Sequence, residues 1–256
     1  MAPNTPPPIS IQLYTLREEA STDFRGTIER LGRIGFVGVE PAALHDLSAE
    51  EFRRCVKDAQ MVVSSGHGPV PAGDTVNAIL DQQQTIGCDE HVVAFLPPDR
   101  FKGSDAVRAT ADELNEAHEN VKPRGMRMGY HNHNWEFSQQ VDGRSAHALL
   151  FEHLEPEIFA ELDIYWAQVG GADPARVVAD LGSRARLLHV KDGPADDPKS
   201  DMTAVGRGAV DIQAVVGAAD AAWHIVELDR CATDMFEAVE ESYRYLVGEG
   251  LSRGRS

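Results

Sequence analysis

Gly129-Tyr130-His131-Asn132-His133-Asn134-Trp135-Glu136-Phe137 is the stretch on which the reading of this chain turns. Met126-Arg127-Met128 before it has strand character, and Val141-Asp142-Gly143 after it reads as a turn. Side chains alternate between the faces of a strand, so Gly129, His131 and His133 point one way and Met128, Tyr130 and Asn132 the other. Two imidazoles and a carboxylate crowded at a strand end are costly without a partner, which a divalent cation or a polyhydroxy ligand would supply. His-x-His also occurs as ordinary polar surface. Its weight here comes from later strands that end in the same residue types.

Outward from this stretch, a strand–helix alternation runs through the whole chain. Strands are expected at 9–14, 36–40, 61–65, 91–95, 158–163, 186–190 and 223–227 in addition to the quoted one. Helices fall between them. Ser48-Ala49-Glu50-Glu51 has the form of a capping box, and Gly35 and Gly87 stand where helices stop. Eight such units in 256 residues predict a single (β/α)8 TIM barrel, a fold of typically ~250 residues. Residues 9–256 then form one catalytic domain, and 1–8 are expected to be a disordered, proline-rich tail. A doubly wound open sheet is the alternative, but the first strand–helix turn lacks the G-x-G-x-x-G phosphate loop.

Composition narrows the partners. The formal net charge is −17, from 41 acidic and 24 basic residues, which argues against nucleic acid and anionic membranes as partners. Three scattered cysteines with no C-x-x-C pair suit a reducing compartment, and no apolar run is long enough to cross a bilayer. The expectation is a cytoplasmic protein acting on a small molecule.

In a barrel, function sits at the C-terminal ends of the strands. The polar residues there are Gln12 or Tyr14, Glu40, His67, His131 with His133, Asp163, His189 with Lys191, and Glu227. Asp163 shares a face with Glu161, His189 with Lys191, and Glu227 with Ile225, so Asp163, His189 and Glu227 converge if those faces point inward. Two carboxylates ~4 Å apart repel by ~4 kcal/mol at an effective dielectric near 20, so a closed pocket holding them calls for a compensating charge. A mixed oxygen and imidazole set suits one Mn, Mg, Co or Zn ion. For the fourth ligand, Glu136, just past the strand, is favoured over His131. Tyr14, Glu40, His67, His133, Trp166, Lys191 and Arg207 are the substrate-binding candidates; a pocket wall, an ion pair, a core aromatic or a solvated turn is the plain alternative for each.

The quoted stretch resembles the Y-H-N-H-x-x-E-F signature of the sugar phosphate isomerase/epimerase family, within the xylose-isomerase-like TIM barrels. Glu161-Leu162-Asp163-Ile164-Tyr165-Trp166, Gly170-Gly171-Ala172-Asp173-Pro174, Leu188-His189-Val190-Lys191-Asp192, Val205-Gly206-Arg207-Gly208 and Ile225-Val226-Glu227 continue the resemblance. The resemblance implies metal ligands at Asp163, His189 and Glu227, and His131 where the epimerase branch has a glutamate. It further implies proton transfer next to a ketone through an enediolate, with Glu227 or Glu136 as base and His131 as a further catalytic candidate. Epimerisation, isomerisation and β-elimination share that intermediate. An endonuclease IV-like phosphodiesterase and a non-catalytic sugar-binding barrel are the rival readings. By resemblance alone, a homodimer is an expected assembly.

Overall fold

The barrel strands have little alternation in burial, because one face meets the barrel interior and the other meets helices. Ile9–Gln12 (β1), Gly38–Glu40 (β2), Glu90–Val93 (β4) and Phe159–Asp163 (β6) are buried at every position. Arg127–His131 (β5), Ala185–Val190 (β7) and Trp223–Val226 (β8) each have one residue less completely covered. The third strand (β3) comes in two pieces, Val62–Val63 and Gly66–Gly68. This is a computed structural model, and it describes residues 5–255.

All pairings around the ring are parallel. β2 bonds to the first piece of β3 and β4 to the second, while β8 returns to β1. The break in β3 is therefore where one strand changes neighbours, and the eight strands close on themselves. Helices lie between successive strands: Phe24–Ile34, Ala49–Asp58, Val76–Ile86, Ser104–Val121, Ala146–His153, Pro174–Leu181, Ile212–Ala218 and Met235–Gly248. The TIM-barrel expectation is met.

Local chemistry sets the ends of these helices. The Ser48 hydroxyl accepts from the Glu51 amide while the Glu51 carboxylate accepts from the Ser48 amide, a complete capping box. Asp23 caps Phe24–Ile34, its carboxylate accepting from the Gly26 amide, and the preceding Arg17–Thr22 is itself helical. Asp142 and Gly143, both at positive φ, turn a small antiparallel hairpin after the quoted stretch.

Two large apolar clusters fill the space around the sheet, and a third, of Val92, Phe159, Leu187 and Ile225, packs within the ring. Gly129 belongs to this inner layer. It pairs with Phe159, and a Cβ there would sit 2.2 Å from the phenyl ring, so the absence of a side chain lets Phe159 fill the barrel. Above this apolar floor the inward positions turn polar.

The amino-terminal expectation needs correction. Residues 1–4 lie outside the described residues, but Pro7 and Pro8 are tied to the barrel: the Pro7 carbonyl accepts from the Arg253 amide, and the Pro8 carbonyl from the His224 amide. Among the described residues, no helix is long and apolar enough to cross a membrane.

Candidate functional site

Strand parity brings the inward residues of β5, β6, β7 and β8 to one end of the ring. His131 pairs in register with Glu161, and His189 with Asp163; Glu227 follows β8 directly and donates its amide to the Val190 carbonyl. His131, Asp163, His189 and Glu227 are all buried, and each offers one donor atom within 4.8 Å of the others. His189 Nδ1 lies 2.8 Å from Glu227 Oε2. His131 Nε2 and Asp163 Oδ2 are 4.0 Å apart, too far to bond each other and near enough to share an ion.

One lysine ties the carboxylates together. Lys191, 1% exposed, reaches Asp163 Oδ2 at 2.9 Å, Glu227 Oε2 at 2.7 Å and Asp229 Oδ2 at 2.8 Å. Beneath this set lies a second buried layer. Glu161 Oε2 is 2.5 Å from His67 Nε2 and 3.2 Å from both His189 Nε2 and His131 Nδ1. Glu40 Oε2 accepts from His189 Nε2 at 2.7 Å and from Gln12 Nε2 at 2.7 Å.

The charges respond to this crowding. Burial pushes Asp163 up to about 6 against the pull of Lys191, and pushes Glu40 up with help from Glu161. Burial also opposes ionisation of Glu161 and Glu227, but His189 and His67 around the first, and Lys191 and His189 around the second, hold both well below the usual carboxylate range. His131 falls to about 3 and His133 to about 2, first through burial and then through neighbouring histidines. His131 is thus held neutral, as a metal ligand must be, whereas burial lowers His189 but the Glu161, Glu40 and Glu227 carboxylates outweigh it and hold that imidazole well above its ordinary value.

The donor set fits a divalent cation. Two carboxylates and two imidazoles match the mixed oxygen and nitrogen preference of Mn, Co or Zn, and Mg at the oxygen-rich limit. Three carboxylates, Asp163, Glu227 and Asp229, surround Lys191, and two more, Glu40 and Glu161, lie against His189 in the layer beneath, a concentration of negative charge that a divalent ion relieves. Glu40 Oε1 and Glu161 Oε1 are buried without a hydrogen-bond partner.

Above the cluster opens a cavity of about 600 Å³ lined by Tyr14, His67, Phe95, His131, His133, Lys191, Glu227 and Asp229 together with Ala42, Gly68, Pro69 and Ala94. Phe95 is 55% exposed and Tyr14 44%, so the rim presents two aromatic faces to solvent. His133 stacks on Trp135 at 4.4 Å, and Phe95 stands edge-on to both rings.

Four sequence expectations are corrected. Glu136 does not join the cluster: one oxygen accepts from the Tyr130 hydroxyl at 2.5 Å and the other from the His133 amide at 3.0 Å. The chain leaves β5 into the short helix Trp135–Ser138, so strand parity ends before position 136, and His131 occupies the fourth donor position. Glu40 is wholly buried behind His189 and is not part of the cavity wall. Trp166 packs in the core with the Lys191 ammonium 5.6 Å from its ring centre. Arg207 is exposed and pairs with Glu241 at 3.6 Å.

Tyr14, His67, His133 and Lys191 do line the cavity. Glu161, Asp229 and Phe95 were missing from the candidates. Glu161 carried a signal, since it shares the inward face of Asp163. Asp229 and Phe95 lie beyond their strands, where alternation no longer applies.

The sequence model of the xylose isomerase-like TIM barrels matches residues 28–227. No curated protein matches the sequence. Among solved structures, a sugar phosphate isomerase/epimerase from Parabacteroides distasonis superposes with a TM-score of 0.81 at 23% identity, over 99% of this chain and 98% of that one. The probable 3-DHS dehydratase AsbF from Bacillus anthracis gives 0.72 at 14% identity, over 94% and 98%. The IolI protein with a bound zinc atom gives 0.70 at 13% identity, over 97% and 99%.

Proposed function

The chain belongs to the xylose isomerase-like TIM barrel family, and from that premise we propose that it is a divalent-metal-dependent enzyme that isomerises or epimerises a neutral keto-sugar by moving a proton on the carbon beside the carbonyl. The observation that carries this reading is the buried set His131, Asp163, His189 and Glu227 at the floor of an open cavity. The likeness to a sugar phosphate isomerase/epimerase and to the zinc-bound IolI protein supports it.

These four side chains would hold the ion, which supplies Lewis-acid stabilisation of charge developing on substrate oxygens. The protein's own part is to bind, orient and move protons. Glu227 faces the cavity from the end of β8 and is kept ionised by Lys191 and His189, the state needed to accept an α-proton. His133 faces the same cavity from beyond β5 as a neutral imidazole, placed to hydrogen-bond a substrate oxygen from another direction. Lys191 holds Asp163, Glu227 and Asp229 in place. Tyr14 and Phe95 at the rim cover the apolar face of a sugar ring.

The cavity also speaks for a neutral substrate. Among the described residues lining it, Lys191 is the lysine or arginine present, and three carboxylates already share its charge. A phosphate group would meet no free positive partner there. A second reading, a lyase expelling a group from the β-carbon, is favoured by one feature: about 600 Å³ with an aromatic rim extends well beyond the ion-binding floor and suits a two-part substrate.

The test is metal analysis of purified protein followed by solvent-deuterium uptake into a panel of neutral and phosphorylated keto-sugars and 3-keto-glycosides. Asp163→Ala is expected to lose both metal and exchange. Full exchange in that variant, or exchange confined to phosphorylated sugars, would refute the reading.

A further inference from the structure

Glu40 has no opening to the cavity, yet it touches a donor of the candidate metal site. Its Oε2 accepts from His189 Nε2 at 2.7 Å, and the same oxygen accepts from the Gln12 amide at 2.7 Å. Gln12 is held in turn, because its Oε1 accepts from the Tyr14 backbone N–H at 3.0 Å. All three side chains, Gln12, Glu40 and His189, are completely buried. On the other edge of the imidazole, Nδ1 lies 2.8 Å from Glu227 Oε2.

A neutral imidazole has one N–H and one lone pair, so a nitrogen that meets a cation requires the proton on the other. His189 Nδ1 is the nitrogen on the Glu227 side, and Nε2 is the one on Glu40. We propose that Glu40 is a positioning residue, holding His189 in the Nε2–H tautomer with its bare Nδ1 aimed into the metal site, and that Gln12 keeps Glu40 in register for this task. The proposal rests on the metal-site reading above and extends it to residues that touch neither ion nor substrate. Carboxylate partners of this kind fix the ring orientation of a ligand and raise its basicity.

The same layer offers a competing use. His67, His131, Glu161 and His189 also present donors within 4.8 Å of one another, a second candidate cation position. Filling both positions would ask His131 and His189 to give up both nitrogens at once. The separations of His67 Nε2 from Glu161 Oε2, 2.5 Å, and of His189 Nε2 from Glu40 Oε2, 2.7 Å, are those of charge-assisted hydrogen bonds. The hydrogen-bonded arrangement is the one the geometry favours.

The experiment uses the full chain with Zn²⁺ as probe. Competition titration gives stoichiometry and affinity, and long-range ¹H–¹⁵N spectra of the histidine rings give the position of each ring proton. Wild type is expected to bind one Zn²⁺ per chain with the His189 proton on Nε2. Glu40→Gln, which preserves shape and removes the charge, is expected to bind Zn²⁺ about 10–100-fold more weakly while melting cooperatively without metal. Gln12→Met, which leaves the carboxylate in place but unheld, is expected to weaken binding in the same direction and serves if Glu40→Gln does not fold. A ring proton on Nδ1 in the Zn²⁺-bound protein would overturn the proposal, as would unchanged affinity in both variants. Two Zn²⁺ per chain in wild type, with the second lost in Glu40→Gln, would overturn it in favour of the second cation position. A wild type that binds no Zn²⁺, Mn²⁺ or Co²⁺ would remove the metal reading and this proposal with it.

Discussion

Replacing Lys191 by methionine tests the electrostatics of the whole site. The ammonium is 1% exposed and within 3 Å of three carboxylate oxygens, on Asp163, Glu227 and Asp229. Methionine keeps most of the length of the side chain and removes the charge, leaving buried carboxylates without their main partner. Breaking a buried ion pair from one side costs about 3–5 kcal/mol, because the remaining charge is stranded in a poor solvent. For a chain of 256 residues, where each kcal/mol moves the melting temperature by roughly 2 °C, this corresponds to a drop of about 6–10 °C in metal-free protein. Bound metal reverses part of it. With its lysine gone the site is more negative, so excess Mn²⁺ should raise the melting temperature of Lys191→Met by more than it raises that of wild type. Calorimetry of both proteins, with chelator and with Mn²⁺, measures the two shifts. A metal-free variant melting within about 2 °C of wild type would refute the reasoning, since the three contacts would then be energetically idle.

Two further outcomes concern the scaffold. Gly129→Ala places a methyl 2.2 Å from the Phe159 ring and is expected to cost about 1–3 kcal/mol in urea unfolding, with Phe159→Leu recovering part of the loss in the double variant. His147 is buried between Phe137 and Phe151, and burial lowers its pKa to about 3. The unfolded chain therefore binds this proton more readily: the contribution of His147 is complete above pH about 6.5 and shrinks as pH falls toward 3. His147→Phe should flatten this acid limb, narrowing the stability gap between pH 7 and pH 5 by about 2 kcal/mol in denaturant titrations, and an unchanged gap would contradict it.

The sequence alone determined the eight strand–helix units, the closed-barrel class and the inward face of three later strands. Those conclusions rest on short-range rules. A residue two positions along a strand must return to the same face, and Asp163, His189 and Glu227 obey that rule wherever the chain runs. The motif around His131 and His133 was equally legible, because a cluster of imidazoles at a strand end stands out without coordinates. Tyr14, His67 and Lys191 followed from being polar at strand ends, and all three line the cavity.

Only the tertiary structure decided what each of these residues faces. Glu136 left the site because Trp135–Ser138 coils into a helix and turns its carboxylate onto Tyr130, a change of period invisible to strand parity. Glu40 moved from substrate candidate to partner of His189, from 149 positions away, when ring closure brought β2 and β7 to the same buried layer. Asp229 and Phe95 became part of the cavity because the loops beyond β8 and β4 fold over its mouth. Alternation along one strand is set by covalent geometry, whereas contacts across the barrel depend on the tilt, register and closure of all eight strands together.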